Sequence, residues 1–293
     1  MKFGIIRERK HPPDKRVVLS PRDCQRIFEQ FPKAGIAVEP SPVRVYKDQD
    51  YKNAGITVTT KLQDCDVLLG VKEVPVEALI PGKKYIFFSH TIKKQPYNRA
   101  LLRAVLEKNI TLYDHELFTS ATGERLVAFG RYAGIVGAYN GIRAYGLKFG
   151  LYTLPKAETL PHQQALIAAL NTVKLPAGTK ILLTGTGRVG NGAREMLDAM
   201  PIERIEAEAY LQRQFRQPVY CQIDAHHYNR HKDGNPYSKE EFHRHPDNYV
   251  SDFMRFAKVT DLFIAGHFYG EGAPFLFTRE GARSAEFAIK VIA

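Results

Sequence analysis

The sequence predicts an α/β protein of two Rossmann-like parallel-sheet domains with a cleft between them, the second C-terminally incomplete. Three observations carry that expectation. Short β-like runs alternate with helical patterns through the N-terminal part of the chain, a helix rich in small residues follows, and a second alternation contains an apolar strand that runs into G-x-G-x-x-G. Alternation of strands and helices is the pattern of a parallel sheet whose crossovers are helical.

Taken in order, FGII reads as the first strand, PRDCQRIFEQF as a helix, and IAVEP and VLLGV as strands. A crossover containing VEAL leads to the strand YIFFS, the helix QPYNRALLRAVLEKN and the strand ITLYD. That crossover is roughly a dozen residues long, near the minimum for a parallel connection. The next stretch, FGRYAGIVGAYNGIRAYGLKFG, is helical but carries many glycines. Each costs ~1 kcal/mol in a helix relative to alanine, so the helix is expected to pack tightly at the joint between two domains. The helix LPHQQALIAALNTV, the strand KILLT and another helix follow. The boundary is placed at residue 132, giving a substrate domain of residues 1–132 and a nucleotide-binding domain of 133–293 with a polar insertion around 210–250.

Composition narrows the function classes. The 293 residues are 44% hydrophobic and 25% charged, ordinary proportions for a globular protein and enough for two domains. No apolar run approaches the ~18 residues of a membrane span, and MKFGIIRERK lacks the apolar stretch of a secretory signal. Cys24, Cys65 and Cys221 are odd in number and far apart, so neither a disulfide framework nor a zinc site is expected, and a cytoplasmic location is. The net charge of +11 favours an anionic partner, but the basic residues are dispersed and no nucleic-acid fingerprint is present. The expected partner is therefore a small molecule, neither nucleic acid nor membrane. Nothing in the pattern sets an oligomeric state. His226, His227, His231, His243 and His245 crowd the polar insertion without cysteine or carboxylate partners at ligand spacing, so no metal is expected. Within the same insertion, SKEE at Ser238–Glu241 has capping-box spacing and predicts a helix start.

The strongest local signal is TKILLTGTGRVGNGAREMLDAM. Its strand–turn–helix context makes Gly185, Gly187 and Gly190 a dinucleotide fingerprint. Gly185 allows the tight turn, Gly187 lets a pyrophosphate approach the backbone, and Gly190 lets helix and strand pack closely, with the N–H groups of the helix start facing the anion. An acidic residue about 20 positions on should hold a ribose hydroxyl, and PIERIEAEAYL offers Glu206 first and Glu208 second. A carboxylate there favours NAD over NADP by repelling a 2′-phosphate.

Two apolar runs, VLLGV and YIFFS, end on Lys72 and His90. If their strands are parallel, both side chains emerge at carboxyl ends, the rim where open α/β sheets bind ligands. A lysine with its pKa lowered by burial and a histidine titrating near ~6.5 suit a reaction needing one acid and one base. Around them, Arg16 opens an apolar strand in DKRVVLSP and can clamp a carboxylate bidentately. HTIKKQ places Lys93 and Gln95 just past His90, LYDHE puts Glu116 at a strand end, and GERLVAFG carries Arg125 and Phe129. Convergence of Arg16, Lys93 and Arg125 would favour a substrate with several carboxylates.

The ordered motifs DKRVVLSP, GVKE, FFSHTIKKQ, TLYDHE, RLVAFGRYAG and GTGRVGNGA resemble the alanine dehydrogenase/transhydrogenase superfamily. LYDHE, AFGRYAG and the K-x-Q after His90 look most like its saccharopine dehydrogenase branch, the NAD-dependent, lysine-forming type. The likeness spans nearly the whole chain and is tightest over 65–145 and 180–193. It implies an N-terminal domain of the alanine dehydrogenase/transhydrogenase type followed by a domain that binds NAD. By that resemblance Lys72 and His90 match the family's acid–base pair, Arg16, Gln95 and Phe129 fall at saccharopine-contacting positions, and Glu73 and Glu116 are nearby tuning carboxylates. It also implies that the glycine turn with Arg188 and Val189, then Glu206, holds NAD. The IAGHFYG loop, with Ala265, His267 and Phe268, would lie near the nicotinamide. The implied reaction oxidises the secondary amine of saccharopine by hydride transfer to NAD, and water addition then yields lysine and 2-oxoglutarate. Alanine dehydrogenase, using pyruvate and ammonia, and a catalytically silent binding relative stand as alternatives. FAIKVIA reads as the start of another strand, and the acidic loop and returning segment that follow it in the family are expected to be missing.

Overall fold

Apolar runs pair into a parallel sheet in each of the two units of the computed structural model, Met1–Ala128 and Phe129–Ala293, which describes residues 1–293. The first unit runs β1 (Lys2–Ile5), α1 (Pro21–Gln30), β2 (Gly35–Val38), α2 (Asp48–Asn53), β3 (Thr57–Val58), β4 (Val67–Leu69), β5 (Lys84–Phe87), α3 (Arg99–Glu107) and β6 (Thr111–Asp114). Its six strands are all parallel, in the order β3-β2-β1-β4-β5-β6. Buried side chains line two apolar clusters. Leu68, Tyr85, Phe87, Leu101 and Val105 belong to one, and Ile5, Val38, Tyr51 and Val67 to the other. Every residue of β4 is buried, as expected for a parallel strand covered on both faces.

One expected element of this unit is absent. Residues 14–19 form no strand, so Arg16 does not open one. The Asp14 carboxylate accepts from the Arg16 backbone N–H at 3.0 Å, a local turn that competes with a ladder. Ser20 then caps α1 in a reciprocal box with Asp23, with proline at the helix start.

The second unit runs α4 (Gly130–Phe149), α5 (Gln163–Leu170), β7 (Lys180–Thr184), α6 (Arg188–Asp198), β8 (Glu203–Arg204), α7 (Ala207–Gln212) and β9 (Val219–Ile223). It continues with α8 (Ala225–Tyr228), β10 (Asn229–His231), α9 (Lys239–Arg244), β11 (Tyr249–Ser251), α10 (Met254–Ala257), β12 (Leu262–Ala265), α11 (Arg279–Arg283) and β13 (Val291–Ile292). The five-stranded parallel sheet has the order β13-β12-β7-β9-β8, and β10 and β11 form a separate antiparallel pair. No helix of the protein is long and apolar enough to cross a membrane.

Two features of this unit correct the sequence reading. Gly134 of α4 serves a helix–helix contact inside the unit. A Cβ on Gly134 would overlap the Val189 carbonyl oxygen and stand 2.7 Å from the Ala193 nitrogen, and one on Gly192 would overlap the Arg131 carbonyl. Backbone therefore meets backbone where α4 crosses α6. The segment 210–250 is likewise not one excursion. It contains β9, whose five residues are all buried beside β7, and only the chain after Asp224 leaves the sheet.

Candidate active site and nucleotide-binding turn

In the first unit, β4 and β5 are parallel neighbours with Leu69 opposite Ile86, so Lys72 and His90 follow carboxyl ends of adjacent strands. Glu73, next to Lys72, accepts from His90 Nδ1 at 2.7 Å, and its other oxygen accepts from Lys10 Nζ at 2.9 Å. Burial alone would raise the Glu73 carboxyl, but hydrogen bonds from Lys10, from its own backbone N–H and from His90 outweigh it and hold the group below its ordinary value. An ionised carboxylate at Nδ1 places the proton on that nitrogen and leaves Nε2 as the atom that can exchange one.

Backbone geometry fixes both members of the pair. His90 is left-handed, with φ 56° and ψ 10°, a conformation that costs non-glycine residues of the order of 1–3 kcal/mol and tends to be found at functional positions. The buried Asp114 at the end of β6 holds the preceding residue by accepting from the Ser89 backbone N–H at 3.2 Å and from the Ser89 hydroxyl. On the other side, Glu8, just past β1, accepts from the backbone N–H groups of Val71 at 2.8 Å and Lys72 at 2.9 Å. Burial outweighs those bonds and raises the Glu8 carboxyl. Sequence reasoning missed Glu8, Lys10 and Asp114. Their one available signal was position just past, or at the end of, strands of the same parallel sheet.

The cationic residues occupy two places. Arg16 grips Asp14 through Nε at 2.9 Å and a terminal nitrogen at 2.5 Å. Burial would raise the Asp14 carboxyl, but the hydrogen bonds and charge of Arg16, with a smaller contribution from the Lys72 charge, hold it below its ordinary value. Lys93 at 3.3 Å and Arg125 at 3.7 Å share one oxygen of Glu116, whose other oxygen is buried without a hydrogen bond. Gln95 is an exposed residue before the turn Pro96–Asn98, and Phe129 stands in the second unit as the N-cap residue of α4.

In the second unit, Gly185 has φ 91°, and a Cβ there would approach the Gly266 oxygen to 2.5 Å. One on Gly190 would strike the Gly185 carbonyl, whereas one on Gly187 meets nothing within 4 Å. The turn therefore has glycine where helix and strand touch and open space where an anion would approach. Asn191 N–H makes a helical bond to the Gly187 oxygen at 2.9 Å, so the N–H groups of the first turn of α6 precede it. Gln222 on β9 braces the turn, donating to the Gly185 oxygen at 2.9 Å.

A cavity of about 1110 Å³ opens from this turn, lined by Gly185–Val189, by Asp224 and residues of the chain that follows it as far as Pro246, and by residues between Gly266 and Leu276. His267 and Phe268 line it, and His267 Nδ1 lies 2.7 Å from the Thr184 hydroxyl, with its pKa lowered by burial. Ala265 ends β12 just before that lining, its N–H bonded to the Ala293 oxygen at 2.8 Å.

The acidic position is corrected by the strand order. Glu206 follows β8, the edge strand, which pairs with β9 and not with β7. It stands at the N-cap of α7 and is not among the residues lining the cavity. The neighbour of β7 is β9, and the carboxylate at its end is Asp224, which accepts from the Thr186 hydroxyl at 3.0 Å and the Ala225 N–H at 2.8 Å. Asp224 thus occupies the place the ribose-binding acid takes in such sheets.

Comparison with known proteins agrees with this architecture. Residues 4–136 match the family model for the alanine dehydrogenase/PNT N-terminal domain. The mitochondrial alpha-aminoadipic semialdehyde synthase of Bos taurus is 31% identical over 304 residues, covering 96% of this chain and 33% of that protein. The Candida glabrata saccharopine dehydrogenase [NAD(+), L-lysine-forming] is 31% identical over 218 residues, covering 68% of this chain and 58% of that protein. A solved structure of L-alanine dehydrogenase shares the fold, with a TM-score of 0.59 at 16% identity over 96% of this chain and 70% of that one. The chain spans about a third of the length of the semialdehyde synthases it matches. Family model, sequence relatives and fold together bear out the resemblance: the chain is similar to saccharopine dehydrogenases within the alanine dehydrogenase/transhydrogenase superfamily.

Proposed function

We propose that the chain is an NAD-dependent oxidoreductase acting on the secondary amine of saccharopine, giving lysine and 2-oxoglutarate reversibly. The observation that supports it best is the Lys10–Glu73–His90 bridge beside Lys72, at the carboxyl ends of two adjacent parallel strands. The glycine turn and its cavity fit a dinucleotide. Gly187 leaves room for the pyrophosphate, the first turn of α6 offers its N–H groups, and Asp224 replaces Glu206 as the carboxylate that favours NAD.

When bound, NAD supplies the acceptor for the hydride that leaves the amine-bearing carbon. The remaining chemistry is proton transfer by the chain's own residues. Loss of hydride and of the N–H proton leaves an imine. Water adds to its carbon, and breaking of the C–N bond releases lysine and the ketone of 2-oxoglutarate. One member of the Lys72/His90 pair takes the amine proton and then activates water, and the other shuttles the two water protons to the nitrogen, one as the imine is hydrated and one as the C–N bond breaks. Glu73 keeps the His90 ring oriented with Nε2 available. Arg16, Lys93 and Arg125 suit a substrate with several carboxylates. An arginine fork has five donors, so a protein carboxylate can hold it in place without exhausting it.

The test is NADH consumption by purified protein, with lysine plus 2-oxoglutarate in one assay and pyruvate plus ammonium in another. Consumption only with lysine and 2-oxoglutarate is expected. Consumption only with pyruvate and ammonium would make the protein an alanine dehydrogenase, and NADH binding without turnover in either would make it a silent relative.

A further inference from the structure

The polar, histidine-rich chain that leaves the sheet after β9 folds back onto the nucleotide cavity as one of its walls. We infer that this wall is the seat of the adenine ring, an inference that rests on the dinucleotide reading above. Topology supplies the first argument. A dinucleotide anchored by its pyrophosphate at Gly187 and by a ribose at Asp224 extends past the end of β9, and the chain beyond that end is α8, β10, α9 and β11.

The chemistry of the wall supplies the second. His226 of α8, Tyr237, and Phe242 and His243 of α9 all face the cavity. The Tyr237 ring lies 6.1 Å from that of His226 and 5.6 Å from that of Phe242, so the rings form a continuous aromatic surface. Tyr237 also lies near enough to Asp224 for that charge, after burial, to help push the phenol up to about 12. A planar, weakly polar base that must leave water finds its partners in such a surface.

The wall is also braced. One oxygen of Glu241 meets His231 Nε2 at 3.2 Å and accepts from Asn248 at 3.1 Å, while the other accepts from the Tyr249 hydroxyl at 3.1 Å. Ser238 caps α9 through the Glu241 N–H at 3.3 Å. The Glu241 side chain is committed to the antiparallel pair β10–β11 and its turn, which holds α9 and its rings in position before any ligand arrives.

The experiment titrates the full chain with AMP and with reduced nicotinamide mononucleotide by calorimetry, and with NADH by nicotinamide fluorescence. The protein has no tryptophan to contribute to that signal. Tyr237→Ala and Phe242→Ala are each expected to weaken AMP and NADH in parallel, by about tenfold or more, and to leave the mononucleotide unchanged. Tyr237→Phe, which keeps the ring, is expected to bind AMP as the wild type does, separating loss of the ring from loss of the fold. Unchanged AMP affinity in both alanine variants would overturn the adenine seat while leaving the cofactor reading intact. Weakening of the mononucleotide instead of AMP would place the wall at the other end of the ligand and also overturn it. A folded wild type that binds neither NADH nor AMP would overturn the dinucleotide reading, and this inference with it.

Discussion

The Glu73 carboxylate meets Nδ1 of His90 at 2.7 Å across two adjacent parallel strands. That contact makes His90 a ring with a fixed tautomer, held by a left-handed backbone that a chain would not adopt at random. Asparagine tolerates the same backbone but cannot exchange a proton in this range. His90→Asn is therefore expected to keep the fold and to bind NADH within about twofold of wild type, while turnover falls by ~10²–10⁴. Lys72→Met should behave alike. Steady-state kinetics beside NADH titration check both, and equal losses of turnover and NADH affinity would reassign the pair to structural roles.

Cofactor preference offers a contrast between two carboxylates. Asp224 lines the cavity and Glu206 does not. Asp224→Ser keeps a side chain able to cap α8 but removes the charge that opposes a 2′-phosphate. It should move the NADH/NADPH affinity ratio toward NADPH by about tenfold, whereas Glu206→Ser should leave the ratio where it was. A shift with Glu206→Ser alone would restore the acid that spacing first suggested.

Why spacing suggested it is instructive. The glycine turn was legible because strand, turn and helix are local, and each glycine answers to backbone within the unit. The acidic residue was not, because the rule assumes that the next strand in sequence is the next in space. Here β8 crosses to the edge, where its two exposed, charged residues suit an edge strand, and β9 returns to the centre. β9 itself hid because its apolar run contains Gln222 and sits between polar flanks. Arg16 misled differently, since VVL is apolar but Asp14 and the Ser20 cap fix a turn and a helix start instead. Lys72, His90 and Glu116 were placed correctly past their strands because strand ends are local. The bonds that join Glu73 to His90 and Glu8 to Lys72 span distant parts of the chain, and no periodicity reports them.

The α4–α6 crossing yields a prediction about stability with its own control. A Cβ on Gly134 or Gly192 meets backbone, which cannot rotate away, so Gly134→Ala and Gly192→Ala should each cost at least the ~1–3 kcal/mol typical of overpacking. Gly137 lies in the same helix with nothing within 4 Å of its added Cβ. Gly137→Ala should be neutral or stabilising by up to ~1 kcal/mol, the helix-propensity gain. Urea unfolding of the three variants checks the order, and a destabilised Gly137→Ala with a tolerated Gly134→Ala would contradict the packing.

Acidification should destabilise the fold through half-buried histidines whose neutral form the fold favours. Burial lowers the pKa of His115, whose Nε2 lies 3.2 Å from the Gly70 oxygen while its buried Nδ1 has no hydrogen bond, and burial likewise lowers that of His267. An unfolded histidine takes its proton near ~6.5. Between that value and the lower folded one the unfolded state binds more protons, so stability falls as pH drops through ~6.5 and stops falling below the folded pKa. Glu8, raised by burial, works in the opposite direction nearer its own range. The clean measurement is therefore a difference in which Glu8 cancels. His115→Gln keeps a donor for the Gly70 oxygen and removes the titration, so its melting temperature should decline less than that of wild type between about pH 7.5 and 5.5. Parallel declines would mean that His115 takes its proton as readily folded as unfolded.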